Sequence, residues 1–244
     1  MARRSLISRT PPGTDYRGIP MNCARGVHEE AERLILRHLD PNSDRASLKV
    51  LDVGAGYGAM SQRLVDDGFA DIVAWDLDPT QSRLPQLPVI PVDLDTDFGA
   101  AFPSAFDLVV ALEVIEHLEN PRHFLRNLAQ VVRPGGLALV SSPNVESAAS
   151  RAAFLGHGGL RWFKRREREA YGHITPVFSW QMRDASKAAG LDLLEKGHNS
   201  GTTLVTVGDG RSETAKALLA LAIYPWMKGA KEGDITLWLF TRKA

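Results

Sequence analysis

Val50-Leu51-Asp52-Val53-Gly54-Ala55-Gly56-Tyr57-Gly58-Ala59 is the stretch on which the fold turns. Val50, Leu51 and Val53 predict a buried strand. Gly54, Gly56 and Gly58 predict a sharp turn whose backbone, free of Cβ atoms, lets a ligand lie against it. Ala59 onward, with Met60, Leu64 and Val65 on one face, predicts a helix. Its first N–H groups point back at the turn, which suits a carboxylate or a phosphate. The chain upstream reads as a lid for this crevice, and the chain downstream as the rest of its sheet.

The 244 residues fit one α/β domain with decorations and suffice for a sizeable core. With 29 basic and 29 acidic side chains the formal net charge is zero. No global field therefore draws in nucleic acid or an anionic membrane, although local patches remain possible. The single cysteine, Cys23, forms no internal disulfide and fits a reducing, cytoplasmic setting. Residues 1–10 carry arginines but no apolar core of a secretory signal. The most apolar run, residues 217–227, is too short to span a bilayer and is broken by Pro225. It reads as a docked amphipathic helix, with shallow membrane contact as the other reading.

Residues 1–20, with Pro11, Pro12, Gly13 and Pro20 and no apolar period, read as a mobile leader to a single domain over residues 21–244. Val27, Ala31, Leu34, Ile35 and Leu39 recur at helical spacing. Strands are expected at 48–53, 72–75, 89–92, 106–112, 137–142, 191–196 and 235–241. Residues 203–207 read as either an extra strand or a loop. Asn120-Pro121 is an N-cap with proline at the first helical position, and Pro134-Gly135-Gly136 stops the helix that follows. Ser179 reads as the cap of a later helix ended by Gly190. This alternation predicts an α/β, doubly wound, mostly parallel seven-stranded sheet with helices on both faces. The irregular stretches 143–175 and 199–232 interrupt it and read as a small substrate cap.

The glycine turn alone leaves its ligand open. Gly54-x-Gly56-x-x-Ala59, with Asp76 downstream, satisfies the dinucleotide pattern, so a nicotinamide-dependent oxidoreductase remains a distant alternative. Two features weigh against it. No second mononucleotide-binding unit follows, and acids recur at the ends of successive strands: Asp52, Asp76, Asp93 and Glu113. Such a ring suits a ligand with hydroxyls, an amino group and positive charge better than one with a pyrophosphate.

The glycine run, Asp76, Asp93, and the block from Phe106-Asp107-Leu108-Val109-Val110-Ala111-Leu112-Glu113 to Arg133-Pro134-Gly135-Gly136 resemble class I S-adenosylmethionine-dependent methyltransferases. The motifs stand in the family's order over residues 47–142. The resemblance implies a Rossmann-like sheet and S-adenosyl-L-methionine as cofactor. It implies that Gly54, Ala55, Gly56, Tyr57 and Gly58 pack against the methionine part and that Asp52 helps hold the amino group. Asp76 would accept both ribose hydroxyls and Leu77 would lie on the adenine face. Asp93 would bond the adenine amino group with Leu94 beside it, and Glu113 would face the methyl end. Asp78 and Asp95 read as turn or cap residues.

Methyl transfer to a hydroxyl needs a base or a metal to take up the charge of the lost proton. Glu113, Glu116 and His117 stand at i, i+3 and i+4 and share one side if the segment is helical. Carboxylates that close repel unless a proton or cation sits between them. His117 then reads as a general base, as a metal ligand, or as a hydrogen bonder that only fixes the loop. The element Glu113-x-x-Glu116-His117, the end Ser142-Pro143-Asn144 of the fifth strand, and His173 ahead of Phe178 and Trp180 resemble a metal-dependent subset of the family. That subset includes the small-RNA 2′-O-methyltransferases and, more loosely, the ubiquinone-pathway O-methyltransferases. It implies Glu113, Glu116, His117 and His173 as ligands of Mg²⁺ or another divalent ion. Leu118 stands where those RNA enzymes carry a second histidine.

The basic run Arg161, Lys164, Arg165, Arg166 and Arg168, interleaved with Trp162, Phe163 and Tyr171, reads two ways. It grips an anion or stacks a base, or it is a solvated face with its aromatics turned inward. Similarity to bacterial glycan and secondary-metabolite methyltransferases implies a small-molecule or glycan hydroxyl as acceptor. RNA 2′-O-methylation with a divalent metal is the alternative, which the neutral net charge disfavours. A non-catalytic binder would lack the Glu113, Glu116 and His117 cluster.

Overall fold

In the computed structural model, residues 15–199, 218, 219, 222 and 224–243 are described. Seven strands form one sheet in the order β5-β4-β3-β6-β7-β9-β8. They are β3 (Lys49–Val53), β4 (Asp71–Asp76), β5 (Val89–Pro91), β6 (Phe106–Ala111), β7 (Val132–Pro143), β8 (Leu191–His198) and β9 (Ile235–Arg242). The first five pair in parallel, and β9 runs antiparallel between β7 and β8. The mostly parallel, seven-stranded expectation holds.

β3 has no polar-out alternation because both of its faces are covered. Leu51 and Val53 pack with Trp75, Phe124, Leu128 and Met182, on the side of α3 (Pro121–Val131) and α6 (Ser179–Ala188). Val50 packs with Leu34, Ile35, Met60 and Leu64, on the side of α1 (Val27–His38) and α2 (Ala59–Asp66). Strand order reverses at β3, between β4 and β6, so a crevice opens at its carboxyl end. Two further helices, α4 (Ala148–His157) and α5 (Arg165–Tyr171), lie in the stretch expected to be a cap.

Several local expectations need correction. Val65 is 45% exposed, so α2 buries Ala59, Met60 and Leu64 instead. Pro134-Gly135-Gly136 is not where the helix stops: α3 ends at Val131 and the next strand begins at once, at Val132 rather than 137. β7 runs through that tripeptide with a register shift, Phe106 facing Val132 and Leu108 facing Leu137. Ser179 is the first residue of α6 rather than its cap. Its hydroxyl accepts from Lys196 Nζ at 2.8 Å, and the Phe178 N–H donates to Gln181 Oε1 at 2.8 Å. Asn120 does cap α3, accepting from the His123 N–H at 3.0 Å.

The proline-rich leader does not extend to residue 20. β1 (Asp15–Tyr16) and β2 (Ile19–Pro20) form a small antiparallel hairpin, and Ile19 and Met21 are buried against Ala59 and Leu84. The hairpin is tied to α2: Tyr16 donates to Asp66 at 2.7 Å, and Arg17 pairs with Asp66 at 2.9 Å. Residues 1–14, the expectation at 203–207 and part of the run 217–227 lie outside the described residues. Among the described residues no helix is long and apolar enough to cross a membrane.

Candidate active site

A cavity of about 520 Å³ opens at the carboxyl ends of β3, β4 and β6. The glycine turn forms its floor. Gly54 and Ala55 donate their N–H groups to the Trp75 carbonyl at 2.8 and 3.0 Å, which joins the turn to the end of β4. Gly54, Gly56 and Gly58 all adopt positive φ, +72°, +54° and +92°.

Their missing side chains serve different ends. A Cβ at Gly54 would strike Val114, and one at Gly58 would lie 2.8 Å from Leu84. Those two glycines make room for the protein's own packing. A Cβ at Gly56 would meet only Asn22, at 3.5 Å, so Gly56 is where the backbone is left open. Gly54, Ala55, Gly56 and Tyr57 line the cavity, but Gly58, expected to contact the cofactor, does not.

The expected acids do converge. Asp52, Asp76, Asp93 and Glu113 all line the cavity, with Leu77 and Leu94. Asp76 Oδ2 accepts from the Gly56 N–H at 2.8 Å and Oδ1 from the Asp78 N–H at 2.9 Å, which fixes the carboxylate plane. Asp93 Oδ1 accepts from the Asp95 N–H at 3.0 Å. Leu77 presents a side chain that is 57% exposed, an apolar surface without a partner on the cavity wall. Asp78 caps the short 3₁₀ turn Pro79–Gln81, as expected, whereas Asp95 accepts from the distant Glu119 N–H at 3.0 Å and also lines the cavity. Asp52 is buried, and Ser61 donates to it at 2.5 Å. Burial, with help from Asp76, pushes its carboxyl up to about 6.

The opposite wall carries the second cluster. After β6 the chain enters a 3₁₀ turn, Ile115–His117, and Glu113 precedes it at φ +55°. The helical i, i+3, i+4 geometry therefore fails for Glu113. Its N–H donates to the Ser141 hydroxyl at 2.8 Å, and that hydroxyl donates back to Glu113 Oε1 at 2.7 Å. Glu116 is wholly buried, and neither of its carboxylate oxygens has a hydrogen-bond partner. Its carbonyl accepts from the N–H groups of Ile174 and Thr175, both at 3.0 Å, which brings His173 to the cluster. The rings of His117 and His173 stand edge to face with centroids 4.9 Å apart.

Ligand atoms of Glu116, His117 and His173 all lie within 4.8 Å of one another. Three of the four expected metal ligands thus come together, and Glu113 is not in that group. Burial holds both rings neutral: His117 falls to about 4, with His173 as a further cause, and His173 is also lowered. Burial raises Glu113 and Glu116, and Glu116 is raised further by Glu113, so the pair disfavours two negative charges. Two neutral imidazoles and a buried carboxyl with nothing to bond are a donor set that a divalent cation would satisfy.

The basic run separates into a solvated arginine face and two aromatics on the cavity wall. Arg165, Arg166 and Arg168 are exposed and do not line the cavity, whereas Trp162 and Tyr171 do. Arg161 pairs with Asp234 at 3.1 Å and lies over Trp162. The sequence reading missed the residues that follow the hairpin: Met21, Asn22, Cys23 and His28 also line the cavity. The available signal was His28 itself, a polar residue set between buried Val27 and Ala31 on α1.

The methyltransferase domain family matches residues 24–196. The ubiquinone biosynthesis O-methyltransferase of Rhizobium rhizogenes is 30% identical over 167 residues, 64% of this chain and 66% of that protein. The one of Cereibacter sphaeroides is 29% identical over 157 residues, 61% and 62% of the respective chains. The match thus spans a little under two thirds of these relatives' length. Two solved structures share the fold. An S-adenosylmethionine-dependent methyltransferase from Archaeoglobus fulgidus has a TM-score of 0.59 at 16% identity, covering 88% of this chain and 94% of that one. A Haloferax volcanii methyltransferase, solved with its Trm112 activator, has a TM-score of 0.60 at 17% identity, covering 89% and 91%. The family match over most of the chain, the shared sheet and the acids gathered at its switch point lead to one assignment: the chain belongs to the class I S-adenosylmethionine-dependent methyltransferase family and is similar to bacterial O-methyltransferases.

Proposed function

We propose that this chain methylates a hydroxyl oxygen of a small molecule with S-adenosylmethionine, using a divalent cation held by Glu116, His117 and His173. The observation that carries this is the buried, unpartnered Glu116 carboxyl directly behind two neutral histidines, His117 and His173, that line the cavity together with Glu113. The other end of the cavity supports the cofactor. Asp76 is oriented for a ribose diol, Leu77 and Leu94 for an adenine face, and Asp93 for its amino group. Asp52 and the glycine turn suit the methionine part.

Bound S-adenosylmethionine supplies an activated methyl group for in-line displacement. A divalent ion at the cluster supplies positive charge that favours the ionised form of the acceptor hydroxyl. The chain does the rest. His117 and His173, held neutral, offer nitrogen lone pairs near neutral pH. Ser141 fixes the Glu113 carboxyl from the end of β7. Leu112, Leu118, Pro143, Trp162 and Ile235 give the cavity an apolar wall beside the polar cluster. That wall, and relatives named for ubiquinone biosynthesis, support an apolar, hydroxyl-bearing acceptor. The exposed arginines of α5 lie off the cavity and give RNA no track into it.

The test is methyl transfer from labelled S-adenosylmethionine to a panel of hydroxylated aromatics and hydroxylated glycans, with and without chelator. Turnover should vanish in excess chelator and return with Mg²⁺ or Mn²⁺, while S-adenosylhomocysteine affinity stays constant. Full turnover in chelator overturns the metal, and transfer only to amines overturns the hydroxyl.

A further inference from the structure

S-adenosylmethionine carries a sulfonium, an ammonium and a carboxylate. The cavity answers the two cations amply, with Asp52, Asp76, Asp93, Asp95 and Glu113 on its wall. It answers the carboxylate poorly: among the described residues no lysine or arginine lines it, and three histidines do. His117 and His173 belong to the cluster with Glu116. The remaining one is His28, in the first turn of α1, where it shares the wall with Asn22, Asp52 and Gly54.

His28 is 6% exposed, and its Nδ1 is buried without a hydrogen-bond partner. A buried imidazole left unsatisfied is costly, and natural proteins keep such groups where something else completes them. The charges around it are known. From α2, Arg63 disfavours a proton on the ring. From α1 itself, Glu29 favours one. Arg63 is in turn engaged by Glu29 at 2.9 Å and Glu32 at 2.6 Å. Burial is the largest cause, and together these hold the ring at about 4.

We propose that His28 is the positioning residue for the cofactor's carboxylate, and that it takes one proton from solvent as the cofactor binds. The balance is simple: neutral imidazole, proton and carboxylate become an imidazolium–carboxylate pair, with no bond made or broken in the cofactor. The carboxylate supplies an opposite charge that offsets the burial and the Arg63 charge holding the ring neutral. A consequence is that cofactor affinity falls as pH rises, because the proton becomes scarcer. The proposal rests on S-adenosylmethionine being the ligand, and the test separates the two.

The test is calorimetric titration of the protein with S-adenosylhomocysteine at pH 7.5, in phosphate and in Tris. The slope of heat against buffer ionisation enthalpy gives the protons exchanged. His28 predicts net uptake in the wild type, reduced by close to one proton in His28→Asn. The variant should bind S-adenosylhomocysteine about tenfold more weakly, the loss of one charge-assisted hydrogen bond. Its affinity for 5′-methylthioadenosine, which lacks the carboxylate, should be unchanged, and that also shows that the variant folds. An unchanged proton count in His28→Asn, or equal loss of affinity for both ligands, overturns the role of His28. Failure of the wild type to bind S-adenosylhomocysteine would instead overturn the cofactor.

Discussion

His173 donates its Nδ1–H to the carbonyl oxygen of Trp162 across 2.8 Å. Because a carbonyl only accepts, this bond fixes the tautomer and leaves Nε2 as the bare nitrogen. Trp162 holds the carbonyl there at the cost of a positive φ, +71°, which a bulky side chain rarely adopts. The cluster of Glu116, His117 and His173 is therefore oriented from the cap side as well as from the sheet.

His173→Ala should lower kcat by ~100-fold, the usual size of losing one positioned proton or charge group. Affinity for S-adenosylhomocysteine should stay within about threefold, because the adenine-side acids are untouched. Trp162→Phe keeps the carbonyl and should retain most of the turnover. Equal losses of kcat and cofactor affinity in His173→Ala would mean that the histidine merely holds the fold. Steady-state kinetics with calorimetry on both variants make the comparison.

The three glycines of the turn should separate in the same way. Gly58→Ala meets both φ +92° and the Leu84 side chain, so it should cost stability, about 1–3 kcal/mol, with little loss of affinity in the folded fraction. Gly56→Ala faces open space and the ligand, so it should lose cofactor affinity at least as clearly as stability. Thermal melts and S-adenosylhomocysteine binding on each variant decide it. The reverse ranking would place Gly58 on the ligand.

That difference marks what the sequence could and could not reveal. The strand, turn, Asp76 and Asp93 are local: Asp76 is the last residue of β4 and Asp93 follows β5 by two residues, so parallel pairing alone carries both to the crevice. The meeting of Glu116 with His173 is not local, since it needs the Glu116 carbonyl to capture residues 174 and 175. At Gly58 the glycine pattern does not say whether the vacated space goes to a ligand or, as the structure has it, to Leu84. His28 was missed because its spacing looks like core, and only the chain after the hairpin turns that face into a cavity wall. The hairpin itself was hidden by Pro20, which sits at the end of a two-residue strand, where proline is tolerated.

The hairpin yields a kinetic prediction. Asp66 holds both Tyr16 and Arg17, and residues 20–24, which begin with the last residue of the hairpin, line the cavity. Asp66→Ala should therefore speed S-adenosylhomocysteine dissociation several-fold, on the order of the ~1 kcal/mol expected for exposed polar bonds. Stopped-flow displacement measures the rate. An unchanged rate would mean that the strap does not limit release.

Asp52 gives a prediction in which ligand and pH act against each other. Its folded value of about 6 lies above the ordinary 3.8, so its ionisation is disfavoured by folding. The sign follows directly: the stability it contributes is present below pH 4 and is lost as pH rises through 6. At neutral pH the charged, buried carboxylate costs about 3 kcal/mol. Asp52→Asn, which can still accept from Ser61, should melt several degrees higher than the wild type at pH 7.5 without ligand. The two proteins should converge near pH 4. Saturating S-adenosylhomocysteine should then favour the wild type, because the ligand's ammonium stabilises the charge that burial penalises. Melting curves at both pH values, with and without ligand, test the whole cycle. A wild type that is already the more stable at pH 7.5 without ligand would show that Asp52 is satisfied by Ser61 alone and has no unmet demand for the cofactor's amino group.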